Sequence, residues 1–318
     1  MNIVLFFSTF LAFIGLYAVL GLLASKKINT ITDYFLAGRN LGIGSVMFTL
    51  IATQIGGGML LGTSQQAYEV GIYGIMYTLG MAIGFILLAS GFAAKLQSFN
   101  VATVADLFYI RYNSLGLKKL ASLLSIITMS GILIGQIVGS KTLLMGLGFF
   151  NEPFFLTFWL FTILYTMIGG LKAVVATNIF QVLFIFIIFG GIFIYSIYLD
   201  PQSLITLAKT QKYFNPPAFS ATSLTATLLM PALFSLIEQD LAQCFFAAKN
   251  KRVAALSALG ASICLLTFAL VPIYFGMKAH FLGLSIPAGT SPLIPILQTL
   301  VPDMILILAL CGIMTAII

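Results

Sequence analysis

Hydrophobic residues run along this chain in long blocks separated by short polar connections such as 26–39 and 200–220. A block of about 17–25 apolar residues is the length that crosses a bilayer as a helix. Nine blocks read this way: 3–25, 41–68, 73–95, 118–148, 153–169, 173–199, 221–248, 253–277 and 303–318. The second is interrupted at its middle by three successive glycines, Gly56, Gly57 and Gly58. The pattern predicts an all-α polytopic membrane protein forming one transmembrane domain over 1–318.

Composition strengthens that picture. Hydrophobic residues make up 60% of the 318 and charged residues 7%, where a soluble domain carries about a quarter charged. Water could not solvate so much apolar surface, so the solvent must be lipid. Cys244, Cys264 and Cys311 sit in apolar surroundings without CxxC spacing, and His280 is the one histidine, so neither a zinc site nor a Ser-His-Asp triad is expected. An enzyme is excluded on the same ground, and no cofactor is expected.

The net charge of +7 would suggest nucleic acid if the basic residues were clustered without regard to the helices. They are not. With the N-terminus outside, the inner loops and helix ends hold Lys26, Lys27, Arg39, Lys95, Arg111, Lys118, Lys119, Lys172, Lys249, Lys251 and Arg252; the outer side holds Lys209, Lys212 and Lys278. Positive residues concentrate on the cytoplasmic side of membrane proteins, so this distribution sets the orientation in the plasma (inner) membrane and leaves nucleic acid no role. The first block lacks a basic leader and a small-residue cleavage site, and Lys26 and Lys27 follow it, so it reads as a retained helix rather than a signal peptide.

Chemistry then concentrates in few places. Glycine has no Cβ and a freer backbone, so Gly56–Gly58 could unwind locally and release carbonyls to a hard cation such as sodium. The same glycines could instead form a close helix contact. Intramembrane polar residues face cavities or partners. Gln54 beside the glycines, with Gly56 and Gly57, is the leading substrate-cavity candidate, followed by Gln136. Gln136 and Ser140 lie four residues apart, and the adjacent Lys141 would either meet a substrate carboxylate or snorkel to the outer surface. Glu238 and Asp240 are expected near the cytoplasmic end, offset by Lys249, Lys251 and Arg252.

Three stretches carry a resemblance. Residues 169–181 read Gly-Gly-Leu-Lys-Ala-Val-Val-Ala-Thr-Asn-Ile-Phe-Gln, similar to the sodium:solute symporter signature G-G-x-x-A-V-x-x-T-D-x-x-Q. Residues 238–249 resemble its D-Q-x-x-x-Q-R-x-x-A-A-K stretch, and 33–39 its D-Y-F-L-A-G-R. The signature positions here are Gly169, Gly170, Thr177, Asn178, Gln181 and Gln243. The resemblance implies a leucine-transporter-like fold, an inverted repeat of five helices preceded by one extra helix. It further implies sodium between the second-helix break and the ninth helix, on the carbonyls of Ala52, Ile55 and Ala316, and Phe234 at an aromatic position of the substrate cavity, where packing in the core or against lipid is the alternative. A register shift of four residues would make the Thr315 hydroxyl a ligand instead.

Two departures bear on mechanism. Asn178 stands where the signature has Asp, which implies one coupling sodium per cycle; Cys244 stands where the related stretch has Arg. The last block has 16 residues, short of a bilayer at about 1.5 Å per residue. The expectation is therefore a truncated or split member with an incomplete second repeat, its remaining helices supplied by a separate chain. The function implied is sodium-coupled uptake of a small organic solute of the proline, choline, pantothenate or sugar type by alternating access. A non-transporting remnant and a membrane sensor domain are the alternatives.

Overall fold

A computed structural model describes residues 3–26, 28–148, 150–210, 221–286 and 290–317. Lys27, Lys212 and Ile318, used in reading topology and the last block, lie outside the described residues. Five helical spans are long and apolar enough to cross a membrane, and four shorter apolar helices accompany them.

The first block is α1, Ile3–Ser25, as expected. Its buried face, Phe6, Phe10, Phe13, Tyr17 and Gly21, follows helical periodicity and packs on α9 (Glu152–Leu199) through edge-on aromatic pairs such as Phe13–Phe184 at 4.7 Å. The polar connection after α1 is no loop. It holds α2, Ile31–Leu36, started by a capping box in which Thr30 and Asp33 satisfy each other's backbone N–H groups.

The second block is split as the glycines suggested. Helix α3 covers Ile43–Gln54, the chain unwinds over 55–56, and a wide π turn over Gly58–Gly62 leads into α4, Thr63–Val70. The third block becomes α5, Met76–Leu87, then a second π turn with Gly91 at φ 140°, then α6, Ala93–Ser98. Helix α7, Val104–Tyr112, again begins at a capping box, Thr103 with Asp106. Helix α8 runs Leu115–Gly146.

The two blocks read as 153–169 and 173–199 are two helices, together labelled α9, that meet in a kink at Gly170, whose φ of 52° and ψ of −164° suit glycine alone. After α10, Ser203–Thr210, the block read as 221–248 proves to be two helices, α11 (Ala221–Ile237) and α12 (Gln239–Ala247). The interruption is Glu238, in extended backbone at φ −67°, ψ 127°. Helix α13 spans Lys251–Phe281, followed by the short α14, Leu293–Leu300, and α15, Asp303–Ala316.

Helix α13 is the central post, buried along half of its most apolar stretch and packed on α3, α4 and α5. Small residues let backbones approach. A Cβ on Gly276 would lie 2.2 Å from the Ser64 carbonyl, and one on Gly80 of α5 would lie 2.1 Å from the Leu228 carbonyl of α11. Hydroxyls pin the same contacts, Ser257 donating to Ile43 O at 3.0 Å and Ser262 to Ala82 O at 3.0 Å.

Candidate functional site

The break after α3 organises the site. Helical bonding runs up to Ile55 N–H on Ile51 O at 2.9 Å and resumes with Leu60 N–H on Gly56 O at 3.2 Å. The carbonyls of Ala52 through Ile55 fall between these two ladders. A Cβ on Gly56 would sit 3.3 Å from Gln136 Nε2 and 3.7 Å from the Ala316 carbonyl oxygen; one on Gly57 would sit 3.3 Å from Ile317. Glycine here permits the unwound strand to touch α8 and α15 at once. Gln181 of α9 donates to the Thr315 carbonyl, fixing the end of α15 beside the break. Thr315 itself is buried and turns its hydroxyl back onto Gly312 O at 3.0 Å.

Next to the break lies a cavity of about 160 Å³, lined among others by Thr53, Gln54, Gly56, Tyr77, Gln136, Phe234 and Glu238. Of the residues singled out in sequence, Gln54, Gly56, Gln136 and Phe234 converge here. Gly57 and Gln136 border a neighbouring cavity of about 350 Å³ that reaches Gln65, Thr142 and Ser291. Lys141 joins neither lining: it is exposed, with its ammonium 5.2 Å from the Phe150 ring centroid. Ser140 also turns away, accepting from Trp159 Nε1 at 3.2 Å.

Glu238 corrects the sequence reading. Among the described residues the ion pairs are Lys118–Asp106 and Lys172–Asp33, so Lys249, Lys251 and Arg252 do not offset it. The carboxylate lies in the cavity wall with the Gln54 side chain as its hydrogen-bonding neighbour. A signal was available: an acidic residue near the middle of the 221–248 block, seven positions after Pro231. Tyr77 was missed because nothing in its local sequence distinguishes it from an interfacial aromatic.

A third cavity, about 490 Å³, holds Asn178, Asp240, Gln243 and Cys244, and Thr53 lines both it and the central one. Beyond it the signature segments clasp one another. Tyr34 donates to Met167 O at 2.5 Å and stacks under Gly170, where a Cβ would meet the Tyr34 carbonyl at 2.7 Å. Lys172 pairs with Asp33 at 2.5 Å, Gln243 donates to Phe35 O at 2.7 Å, and Arg39 to Asn100 O at 2.9 Å. Lys172, with help from Thr30, holds the Asp33 carboxyl down at about 2. Gly169 lies against Gly21 of α1, and Thr177 returns its hydroxyl to Val174 O at 3.0 Å within its own helix.

A helix broken at glycines beside a small polar cavity, inside an apolar bundle, defines a membrane transport protein. The sequence profile of the Sodium:solute symporter family matches residues 34–318, and the chain belongs to that family, one of transporters and not enzymes. It is 26% identical over 191 residues to High-affinity choline transporter 1 of Caenorhabditis elegans, covering 58% of this chain and 33% of that protein. It is 29% identical over 156 residues to the Sodium/pantothenate symporter of Escherichia coli strain K12, covering 48% and 32%. To High-affinity choline transporter 1 of Torpedo marmorata it is 30% identical over 211 residues, covering 60% and 33%. The matched stretches thus span about a third of these curated relatives. A solved structure of a Na⁺-coupled sialic acid symporter in a substrate-bound outward-open state shares the fold, with a TM-score of 0.81 at 15% identity over 98% of this chain and 69% of that one.

Proposed function

We propose that the protein is a sodium-coupled symporter for a small organic solute, working by alternating access with its N-terminus outside. The supporting observation is the meeting of the α3 break, Gln136 and the Ala316 carbonyl beside the central cavity. Carbonyls released from helical bonding suit a hard cation, which prefers oxygen ligands. Ala52, Ile55 and Ala316 are the proposed sodium ligands. Gln54, Gln136, Phe234 and the glycine backbone at 56 and 57 form the solute subsite. Lys141 contributes at the surface and not to the solute. The relatives named for choline, pantothenate and glucose mark the range of candidate solutes.

Asn178 leaves the signature position without a carboxylate, so one sodium is coupled per cycle. Reconstituted in proteoliposomes as part of a complete transporter, the protein is expected to accumulate solute under an inward sodium gradient with a Hill coefficient near 1 for sodium. Equal uptake under potassium, or uptake driven by protons alone, would overturn the reading. A coefficient near 2 would overturn the single-ion assignment and direct attention to Asp240, which lines the same cavity as Asn178.

A further inference from the structure

Glu238 is 9% exposed and sits where α11 gives way to α12, a helix that its side chain does not cap. A buried carboxylate needs a compensating charge or several hydrogen bonds. Among the described residues, no lysine or arginine pairs with it. Arg111 lies in the wall of an adjoining groove that Glu238 also reaches, without forming that pair. What lines the central cavity with the carboxylate is neutral, Gln54, Gln136, Ser235, Tyr77 and Phe234 among them, and the nearby Asp240 carboxylate lines the next cavity. Glu238 is the one charged side chain in that lining among the described residues.

Resting on the symport reading, we infer that the solute is a small organic cation, an amine or quaternary ammonium, whose charge is held against Glu238 and the rings of Tyr77 and Phe234. A carboxylate flanked by aromatic rings is complementary to such a head group, because ring faces attract cations and the acid supplies the formal countercharge. An anionic solute would meet Glu238 with no base in the lining to shield it, and a neutral sugar would make no use of its charge. The glycine-lined break at Gly56 and Gly58 lets the head group approach the backbone, and Gln136 offers a polar partner for a hydroxyl on the tail.

The test is binding to the purified, detergent-solubilised protein in sodium buffer, using choline, tetramethylammonium, proline, pantothenate and the neutral choline isostere 3,3-dimethyl-1-butanol. Choline or tetramethylammonium should bind, and the isostere, equal in shape without the charge, should bind at least about tenfold more weakly, the scale of a lost charge-assisted contact. Glu238→Gln should lose a similar factor for the cations, whereas Glu238→Asp should stay within a few-fold of the parent. Failure of both cations to bind, equal affinity for the isostere, or unchanged cation affinity in Glu238→Gln would overturn the inference. Should Glu238→Gln fold poorly, the isostere comparison on the parent protein decides alone. Sodium-driven uptake is measured separately. Cation binding without sodium-driven uptake sinks the symport reading alone, and sodium-driven uptake of pantothenate or glucose sinks the cation inference alone.

Discussion

At the scale of single residues, two glycines separate structural from functional demand. Gly170 occupies a backbone conformation closed to other residues and backs onto the Tyr34 carbonyl, so Gly170→Ala combines torsional strain with a collision at 2.7 Å. A loss of about 1–3 kcal/mol is expected, measured as earlier thermal unfolding with no selective change in sodium affinity. Gly56 is different: its backbone is not strained, and its missing side chain leaves room for Gln136 and the Ala316 carbonyl. Gly56→Val is expected to raise the sodium concentration for half-maximal uptake at least tenfold with little change in melting temperature. A fall in stability without that shift would make the break a packing contact only. Gly56 was legible because three successive glycines interrupt an apolar block, and Gly170 because it falls in the stretch that resembles the family signature. Glu238 was legible as an acid in an apolar block, but its place in the cavity wall was not. Proximity in sequence to Lys249 suggested a local countercharge, and only the turn between α11 and α12 directs the carboxylate inward.

At the scale of elements, the long helices were readable and the short ones were not. Apolar length identifies α1, α8 and α13, since a bilayer imposes that length on a helix. Helices α2, α7, α10 and α14 are too short to register that way, although the Thr-x-x-Asp caps of α2 and α7 announce them to a search for helix starts. Contacts between elements follow small residues and buried polar ties. At the far end of α9 from Gly170, Lys278 of α13 donates to Ser196 of α9 at 2.8 Å and to Tyr274 at 3.1 Å, and Tyr274 also meets Ser203 of α10 at 3.1 Å. Lys278→Ala removes two charged hydrogen bonds and the stem, leaving Ser196 and Tyr274 to each other at 2.9 Å, so about 1–3 kcal/mol should be lost. Lys278→Met removes the same hydrogen bonds but keeps the packing of the stem and should lose less. If Lys278→Met melts like the parent, the hydrogen bonds at this joint contribute nothing measurable. The clasp at the other end has a pH signature. Asp33 titrates at about 2 in the folded protein because Lys172 favours its charged form, against about 4 when free. A depressed folded pKa gives stability that is present above about pH 4 and lost as pH falls toward 2. The stability gap between the parent and Asp33→Asn should therefore be constant near neutrality and shrink only across that acidic window. A gap that instead closes between pH 6 and 8 would assign it to another group.

At the scale of the whole molecule, the clasp and the Lys278 joint mark the two ends of the bundle, and charge asymmetry assigns them to sides. Near the clasp lie Arg39, Lys95, Arg111, Lys118, Lys119, Lys172, Lys249, Lys251 and Arg252, while Lys209 and Lys278 sit toward the other end. Translocating a lysine or arginine across the membrane is costly, and cytoplasmic loops retain them. The interior offers few counterions that could hide this bias: Asp33 and Asp106 pair with two of these bases at the surface, and Glu238 and Asp240 lie in cavity walls. In the proposed orientation the clasp is cytoplasmic and the segment after α9 outside. Single cysteines at exposed positions, Arg111→Cys in α7 and Gln202→Cys before α10, test it in a background where Cys244, Cys264 and Cys311 are alanine. In intact cells a membrane-impermeant maleimide should modify position 202 and spare position 111. Both should react once the membrane is opened, which controls for burial. Labelling of 111 in intact cells with 202 protected would invert the molecule. It would also move the cavity holding Asn178 and Asp240 from the cytoplasmic exit to the outer entrance.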